Sequence, residues 1–120
     1  MHKNIDTIIV PCRDTKDNEK MLNNGYWAGV KIAKAKIDKL TYIAIYHTAP
    51  VSAVTECYKI IQPLEKWSVD NKKYKINFEK KPYKINTVKY NRTNNDPILR
   101  CSRYTQLGKL EKASSLKDLF

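Results

Sequence analysis

The chain has few of the residues that build disulfide frameworks and metal sites. Its three cysteines, Cys12, Cys57 and Cys101, lie far apart, and no two of them form a CxxC pair. Neither His2 nor His47 has a cysteine at the spacing of a zinc ligand. An odd number of widely spaced cysteines is typical of reduced, mostly buried thiols. We therefore expect no metal, and the lack of P-loop, GxGxxG and HExxH patterns predicts no cofactor.

Long hydrophobic runs are also missing. The longest apolar runs cover residues 8–10 and 42–46, whereas a transmembrane helix needs roughly 20 apolar residues. Near the N-terminus, Asp6 precedes a brief apolar run that is too short for a signal peptide. The sequence therefore predicts a cytoplasmic protein that makes no contact with a membrane.

Acidic residues are scarce as well. The chain of 120 residues has 12 acidic and 23 basic side chains, which give a formal net charge of +11. Hydrophobic residues make up 42% of it, enough for the core of one domain that spans residues 1–120. A domain this basic attracts polyanions through long-range steering and counterion release. Nucleic acid is therefore the partner that the composition favours.

Short β-branched and aromatic runs, separated by Pro, Gly and Asn, predict several strands. The almost continuous apolar run at 42–48 indicates a strand that is buried on both faces. The period-two alternation at 74–78 and again at 83–90 predicts a hairpin. Further strands are predicted at 5–12, 54–64 and 98–103, and residues 67–71 are predicted to form a turn.

The clearest helical signals lie near the two ends of the chain, and residues 31–40 fit an extended stretch followed by a helical turn. Thr15 or Asp17 is a suitable N-cap for a short helix that Gly25 would end. From residue 105 onward, leucines recur at helical spacing, with Ser114-Ser115 as a second N-cap. We therefore predict an α+β fold, with a small curved mixed sheet or pseudo-barrel of about five to seven strands and short helices near both termini.

Three stretches carry a resemblance to a known superfamily. They are Gly25-Tyr26-Trp27, the strand–turn–strand YIAIYHTAPVSAVT at 42–55, and RYTQL at 103–107 with the leucines that follow it. Their order resembles the PUA-like superfamily, which includes the ASCH and EVE groups. The first strand, IIVPC, has no tryptophan where the EVE group usually has one. The resemblance implies a pseudo-barrel that binds RNA or a modified base in DNA, often through an aromatic pocket.

Five residues are candidates for such a pocket. Trp27, Tyr46 and Tyr104 each lie beside a turn, where an aromatic face can stack on a flipped or single-stranded base. Thr48 and Ser52 follow the apolar strand and carry hydroxyl groups that can bond to the edge of a base. We therefore expect the pocket to lie near Trp27, Tyr46 and Ser52.

Basic residues are candidates for contacts with the phosphate backbone. Arg13, Arg100 and Arg103 have guanidinium groups that pair with phosphate in a bidentate manner. Lys81 and Lys84 are the candidates among the lysines of the predicted hairpin, which can lie along the phosphate backbone of a nucleic acid.

An enzymatic function is the second hypothesis. His47 and Cys57 would form a base and nucleophile pair if their strands paired in the right register. Some ASCH-like domains are amidohydrolases that act on acylated cytidine with Lys, Thr and Glu, types present here as Lys31, Thr55 and Glu56. Adjacent strand residues point to opposite faces, so Thr55 and Glu56 would share a pocket only at a bulge.

A protein-interaction module is the third hypothesis. The helical tail is apolar up to Leu119 and Phe120, and it either packs on the sheet or provides a contact for a partner.

Overall fold

The sheet of this protein curls into a half-barrel with short helices near both termini, as the sequence predicts. The computed structural model describes residues 5–48, 51–68, 73–83, 85, 87–90, 99 and 101–120. The strands are β1 Thr7–Cys12, β2 Tyr26–Lys31, β3 Tyr42–His47, β4 Ala53–Ser68, β5 Lys73–Phe78, β6 Val88–Lys89 and β7 Arg103–Thr105. The helices are α1 Lys16–Asn23 and α2 Leu107–Lys112, with 3₁₀ helices at Lys34–Lys39 and Leu116–Leu119.

The sheet is mixed and has the strand order β2-β5-β4-β3-β1-β7, while β6 pairs with the start of β4. The β1–β3 pair is parallel, and the other pairs are antiparallel. The two halves of β4 have different neighbours: its first half pairs with β3 and its second half with β5. This long strand therefore belongs to both halves of the sheet and connects them.

The central strands β1 and β3 are buried on both faces, as the apolar run predicts. Ile43, Ala44 and Ile45 have no exposed surface, and Ile8 and Ile9 beside them are almost fully buried. Alternate side chains enter two hydrophobic cores. The first core joins residues of β1 to β5 and fills the concave face. The second core lies on the opposite face, beneath the C-terminal helices.

The predicted capping signals are confirmed in both helical regions. The Thr15 hydroxyl accepts a hydrogen bond from the Asn18 amide at 3.1 Å, and Gly25 follows α1 with a φ of +77°. At the other end, Ser115 and Asp118 form a capping box around the C-terminal 3₁₀ helix. The predicted leucine face is also present: Leu110, Leu116 and Leu119 lie in the second core.

The hairpin predicted for residues 74–78 and 83–90 is wrong. Both segments pair with β4 instead: Phe78 lies opposite Ile60, and Val88 lies opposite Val54. They therefore follow one another along the edge of β4 that faces away from β3. The alternation marks β5 correctly, whereas β6 covers only Val88–Lys89 of the predicted 83–90. In neither case does it carry information about which strand is the neighbour.

Two predicted boundaries also need correction. β4 does not end at residue 64 but continues to Ser68, so Trp67 lies in a strand rather than in the predicted turn. The last strand covers Arg103–Thr105 instead of 98–103. Its position follows from the pairing of Arg103 with Ile9 and of Thr105 with Thr7.

Asp6 ties the start of β1 to the C-terminal helix. Its carboxylate oxygen Oδ1 accepts a hydrogen bond from the Leu107 amide at 2.8 Å, which satisfies a free donor at the start of α2. Its backbone carbonyl accepts bonds from Thr41 and Tyr42 at 2.7 and 2.9 Å. One residue thus connects β1, β3 and α2.

We predict that Asp6→Ala lowers the free energy of unfolding by about 1–3 kcal/mol, because the Leu107 amide then lacks its acceptor. Asp6→Asn keeps a side-chain oxygen at that position and should lose less than half as much. Urea denaturation followed by circular dichroism measures both changes. Equal losses in the two variants would contradict the capping role.

Candidate nucleic-acid interface

A cleft of about 720 Å³ lies beside β7, between the first 3₁₀ helix and the end of the C-terminal 3₁₀ helix. Four of its lining residues are cationic, and two carry aromatic rings. No aspartate or glutamate is among the described residues that line it. The charged and aromatic residues are Lys36, Lys39, Arg103, Lys109, Tyr104 and Phe120.

The edge position of β7 exposes this cleft. β7 is the last strand in the sheet order, and it pairs with β1 on one side only. The Ala33 amide donates a hydrogen bond to the Tyr104 hydroxyl at 3.4 Å, which brings the start of the first 3₁₀ helix to β7. Lys36 and Lys39 on that helix consequently face the same space as Arg103.

Cations lie over both aromatic rings of the cleft. The Lys36 ammonium is 4.2 Å from the centroid of the Tyr104 ring, and the Arg103 guanidinium carbon is 4.2 Å from the centroid of Phe120. Cation–π contacts of this kind hold a flexible basic side chain in a defined position. The cleft therefore offers positive charge next to planar apolar surface.

Arg103 and Tyr104 are thus the predicted site residues that the structure brings together in the cleft. Thr48 and Ser52 lie at the opposite end of β1. There the Thr48 amide donates to the Cys12 carbonyl at 3.1 Å, and Ser52 donates to Thr48 at 3.4 Å. Arg13 is exposed at the same end.

The expected pocket near Trp27, Tyr46 and Ser52 does not form. Trp27 is only 8% exposed and belongs to the first core, whereas Tyr46 is 6% exposed and belongs to the second. The two rings therefore lie on opposite faces of the sheet. The glycines near Trp27 are explained by the backbone conformation, because Gly25 and Gly29 have positive φ angles of +77° and +80°, which favour glycine.

Lys81 is exposed in the turn after β5, away from the cleft. Lys84 and Arg100 lie outside the residues that the structure describes.

The strand register does not bring His47 and Cys57 together as a base and nucleophile. His47 Nε2 lies 2.6 Å from the Glu56 carboxylate, whose other oxygen accepts a hydrogen bond from the Tyr58 hydroxyl. Cys57 is buried in the second core, on the face opposite to Glu56. The strand alternation that separates Glu56 from Cys57 also separates the histidine from the thiol.

The three amidohydrolase candidates are not assembled by the strand pairing either. A bulge is present on β4: Ile45 lies opposite Glu56 and Tyr46 opposite Val54, so Thr55 is the extra residue. Lys31, however, pairs with β5 at the end of the sheet where β4 finishes. The register therefore does not bring Lys31 next to Glu56.

The remaining cleft residues were not identified from the sequence. Lys36, Lys39 and Lys109 lie in runs of other lysines, and no local signal distinguishes them. Phe120 is apparent only as an apolar end of the tail. These residues become a group only when β7 and the first 3₁₀ helix come together.

The buried thiols are poor nucleophiles. The pKa of the Cys12 thiol is raised to about 11, mainly by burial and to a smaller extent by the nearby Glu56 carboxylate. Burial likewise raises the pKa of Cys57 to about 12. Because the thiolate is the reactive form, both side chains are unreactive thiols at neutral pH. Cys101, in contrast, is exposed at the cleft.

We predict that iodoacetamide at pH 8 alkylates Cys101 at least about tenfold faster than Cys12 or Cys57, because only Cys101 is exposed. Peptide mass spectrometry over a time course measures the three rates. In 6 M urea, as the control, the three rates should converge. Labelling of Cys57 as fast as Cys101 in the native protein would contradict its burial.

Comparison with known proteins identifies no relative: the chain matches no protein-family model, no curated protein and no solved structure. In the described part of the chain, no three His, Cys, Asp or Glu side chains are grouped so that they could hold a metal ion. Among the described helices, none has the length and apolar character needed to span a membrane.

Proposed function

We propose that this chain is a nucleic-acid-binding module of the PUA-like type, which recognises RNA or a modified base in DNA. The observation that carries the proposal is the cleft beside β7, where four basic side chains surround two aromatic rings and no aspartate or glutamate is among the described lining residues. The net charge of +11 and the curled mixed sheet with terminal helices add support. The three free thiols favour a reducing compartment, so we place the protein in the cytoplasm.

In this proposal, Arg103 and the lysines of the cleft bind phosphate groups. A guanidinium donates two parallel hydrogen bonds to a phosphate, whereas an ammonium acts as a point charge. Lys36, Lys39 and Lys109 would supply the point charges and Arg103 the oriented contact. Each neutralised phosphate releases counterions, so the affinity falls as the salt concentration rises.

The aromatic rings would provide the surface for a base. Tyr104 and Phe120 lie at the cleft, and each already contacts a cation that can exchange this contact for a phosphate. A volume of about 720 Å³ is in the range that holds small ligands, and it is large enough for an unstacked base. The base would be selected here, while the lysines would add affinity that is independent of sequence.

We predict that Arg103→Ala weakens binding of a short labelled RNA or DNA strand about 5- to 30-fold, since it removes a charge-assisted bidentate contact. Arg103→Lys keeps the charge but loses the planar donor pair, and it should restore only part of the affinity. Fluorescence polarisation at several salt concentrations measures these changes. The slope of log K against log salt should fall by about 1 for Arg103→Ala.

Lys20→Ala is the matched control, because it removes one exposed positive charge on α1, outside the cleft. It should weaken binding less than about threefold. Equal losses for Lys20→Ala and Arg103→Ala would mean that the protein binds polyanions through its net charge, and the cleft proposal would then be rejected.

A further inference from the structure

Trp67 is unusual because it is a large aromatic side chain that is 57% exposed. The other tryptophan, Trp27, is buried in the first core. Trp67 lies within β4, where regular packing would normally cover such a ring or place a smaller residue. Large exposed aromatic side chains are enriched at surfaces that bind partners.

Two irregularities in neighbouring strands fix the position of the Trp67 ring. β5 lies between β2 and β4, and both neighbours have an extra residue opposite the same part of β5. On β2 the extra residue is Gly29, between Ala28 and Val30, and on β4 it is Trp67. A Cβ placed on Gly29 would lie 3.8 Å from Trp67 Nε1. The indole therefore reaches across β5 to the backbone of β2.

Gly29 places the β2 backbone beside the ring. Its φ of +80° is a conformation that favours glycine, and a Cβ built on it would be at ordinary van der Waals distance from the indole. An indole held against a strand keeps its orientation without being covered. It can thus receive a planar ligand at a small cost in side-chain entropy.

The strands around Trp67 are basic. Lys31 and Lys66 are exposed, and Lys73 and Lys75 lie on β5 between the two irregularities. Lys75 lies 3.6 Å from Glu65, and its ammonium is also 4.6 Å from the ring centroid of Tyr26. Glu65 aside, the charged side chains on the described parts of β2, of the second half of β4 and of β5 are lysines, which suits the phosphates on either side of a base.

We propose that Trp67 is a stacking platform for a base of single-stranded nucleic acid, with the surrounding lysines binding the flanking phosphates. This inference rests on the proposed function. An exposed aromatic face among cations is the combination that binds single strands without sequence readout. A single strand is required, because the bases of a duplex keep their faces stacked on each other.

The platform and the cleft are close enough for one strand to reach both. A Cβ built on Gly29 would lie 3.8 Å from the Trp67 indole, and Ala33, four residues later on the same segment, donates a hydrogen bond to Tyr104 of the cleft. An extended segment of that length spans roughly 13 Å. A strand seated in the cleft can therefore place a neighbouring base on Trp67.

The test combines intrinsic tryptophan emission with fluorescence polarisation, using an eight-nucleotide thymidine strand and its duplex. The single strand should quench the emission of the wild type and leave that of Trp67→Phe unchanged, because only Trp67 is in contact with a base. Trp67→Ala should weaken binding about 5- to 150-fold, whereas Trp67→Phe keeps a stacking face and should bind within about threefold of wild type.

Ile61→Ala is the matched control, because Ile61 is an exposed apolar residue on the same strand, and its loss should leave the affinity unchanged. If the strand binds but Trp67→Ala binds equally well, the platform is rejected while the cleft proposal stands. If no strand binds the wild type, both proposals fail. Equal quenching by the duplex, or dimerisation in sedimentation that Trp67→Ala abolishes, would overturn the single-strand assignment.

Discussion

β1 and β3 run side by side in parallel along their full lengths, from Thr7 opposite Tyr42 to Cys12 opposite His47. Their residues are apolar at successive positions, so hydrophobic side chains project from both faces of the pair. A sheet of this kind needs a cover on each side. The curl of β2, β4 and β5 covers the first core, and the C-terminal helices cover the second. This double burial explains the positions of β2, β4, β5 and the C-terminal helices.

The candidate site is a consequence of that cover. The C-terminal segment must return to β1 to close the second core, and it does so by adding β7 to the edge of the sheet. The return brings Phe120 and Arg103 beside the first 3₁₀ helix, which follows β2 at the other end of the curl. The cleft thus forms where the two ends of the sheet approach each other, and its charge comes from lysines that the packing leaves outside.

Local signals were sufficient for much of the fold. The apolar run of β3, the Thr15 cap and the periodic leucines of the tail were all predicted correctly, because each depends on neighbours in sequence. The pairing of β5 was not predicted. Its alternation describes one exposed face and one buried face, and these are the same whichever strand lies beside it. The choice of partner depends on the length of β4, which continues through Pro63.

The two tryptophans show that local sequence signals are also insufficient to locate the candidate site. Glycines near Trp27 indicate a special backbone, but the sequence does not reveal whether a ligand or a bulge requires it. The register of β2 on β5 buries Trp27, and the irregularity on β4 exposes Trp67. The sequence singles out Arg103 as one of few arginines and Tyr104 as an aromatic residue beside a turn, and the structure places both in the cleft. Lys36 joins them only through the fold.

Binding in the cleft can be tested by titrating ¹⁵N-labelled protein with a short single strand and following the amide chemical shifts. If the strand binds there, the largest changes occur at residues 34–39 and 101–106, on the two sides of the cleft, and they persist at moderate salt. Changes spread evenly over exposed lysines such as Lys81, which vanish together as salt rises, would contradict binding in the cleft. In that case the positive charge attracts nucleic acid without a site that binds it.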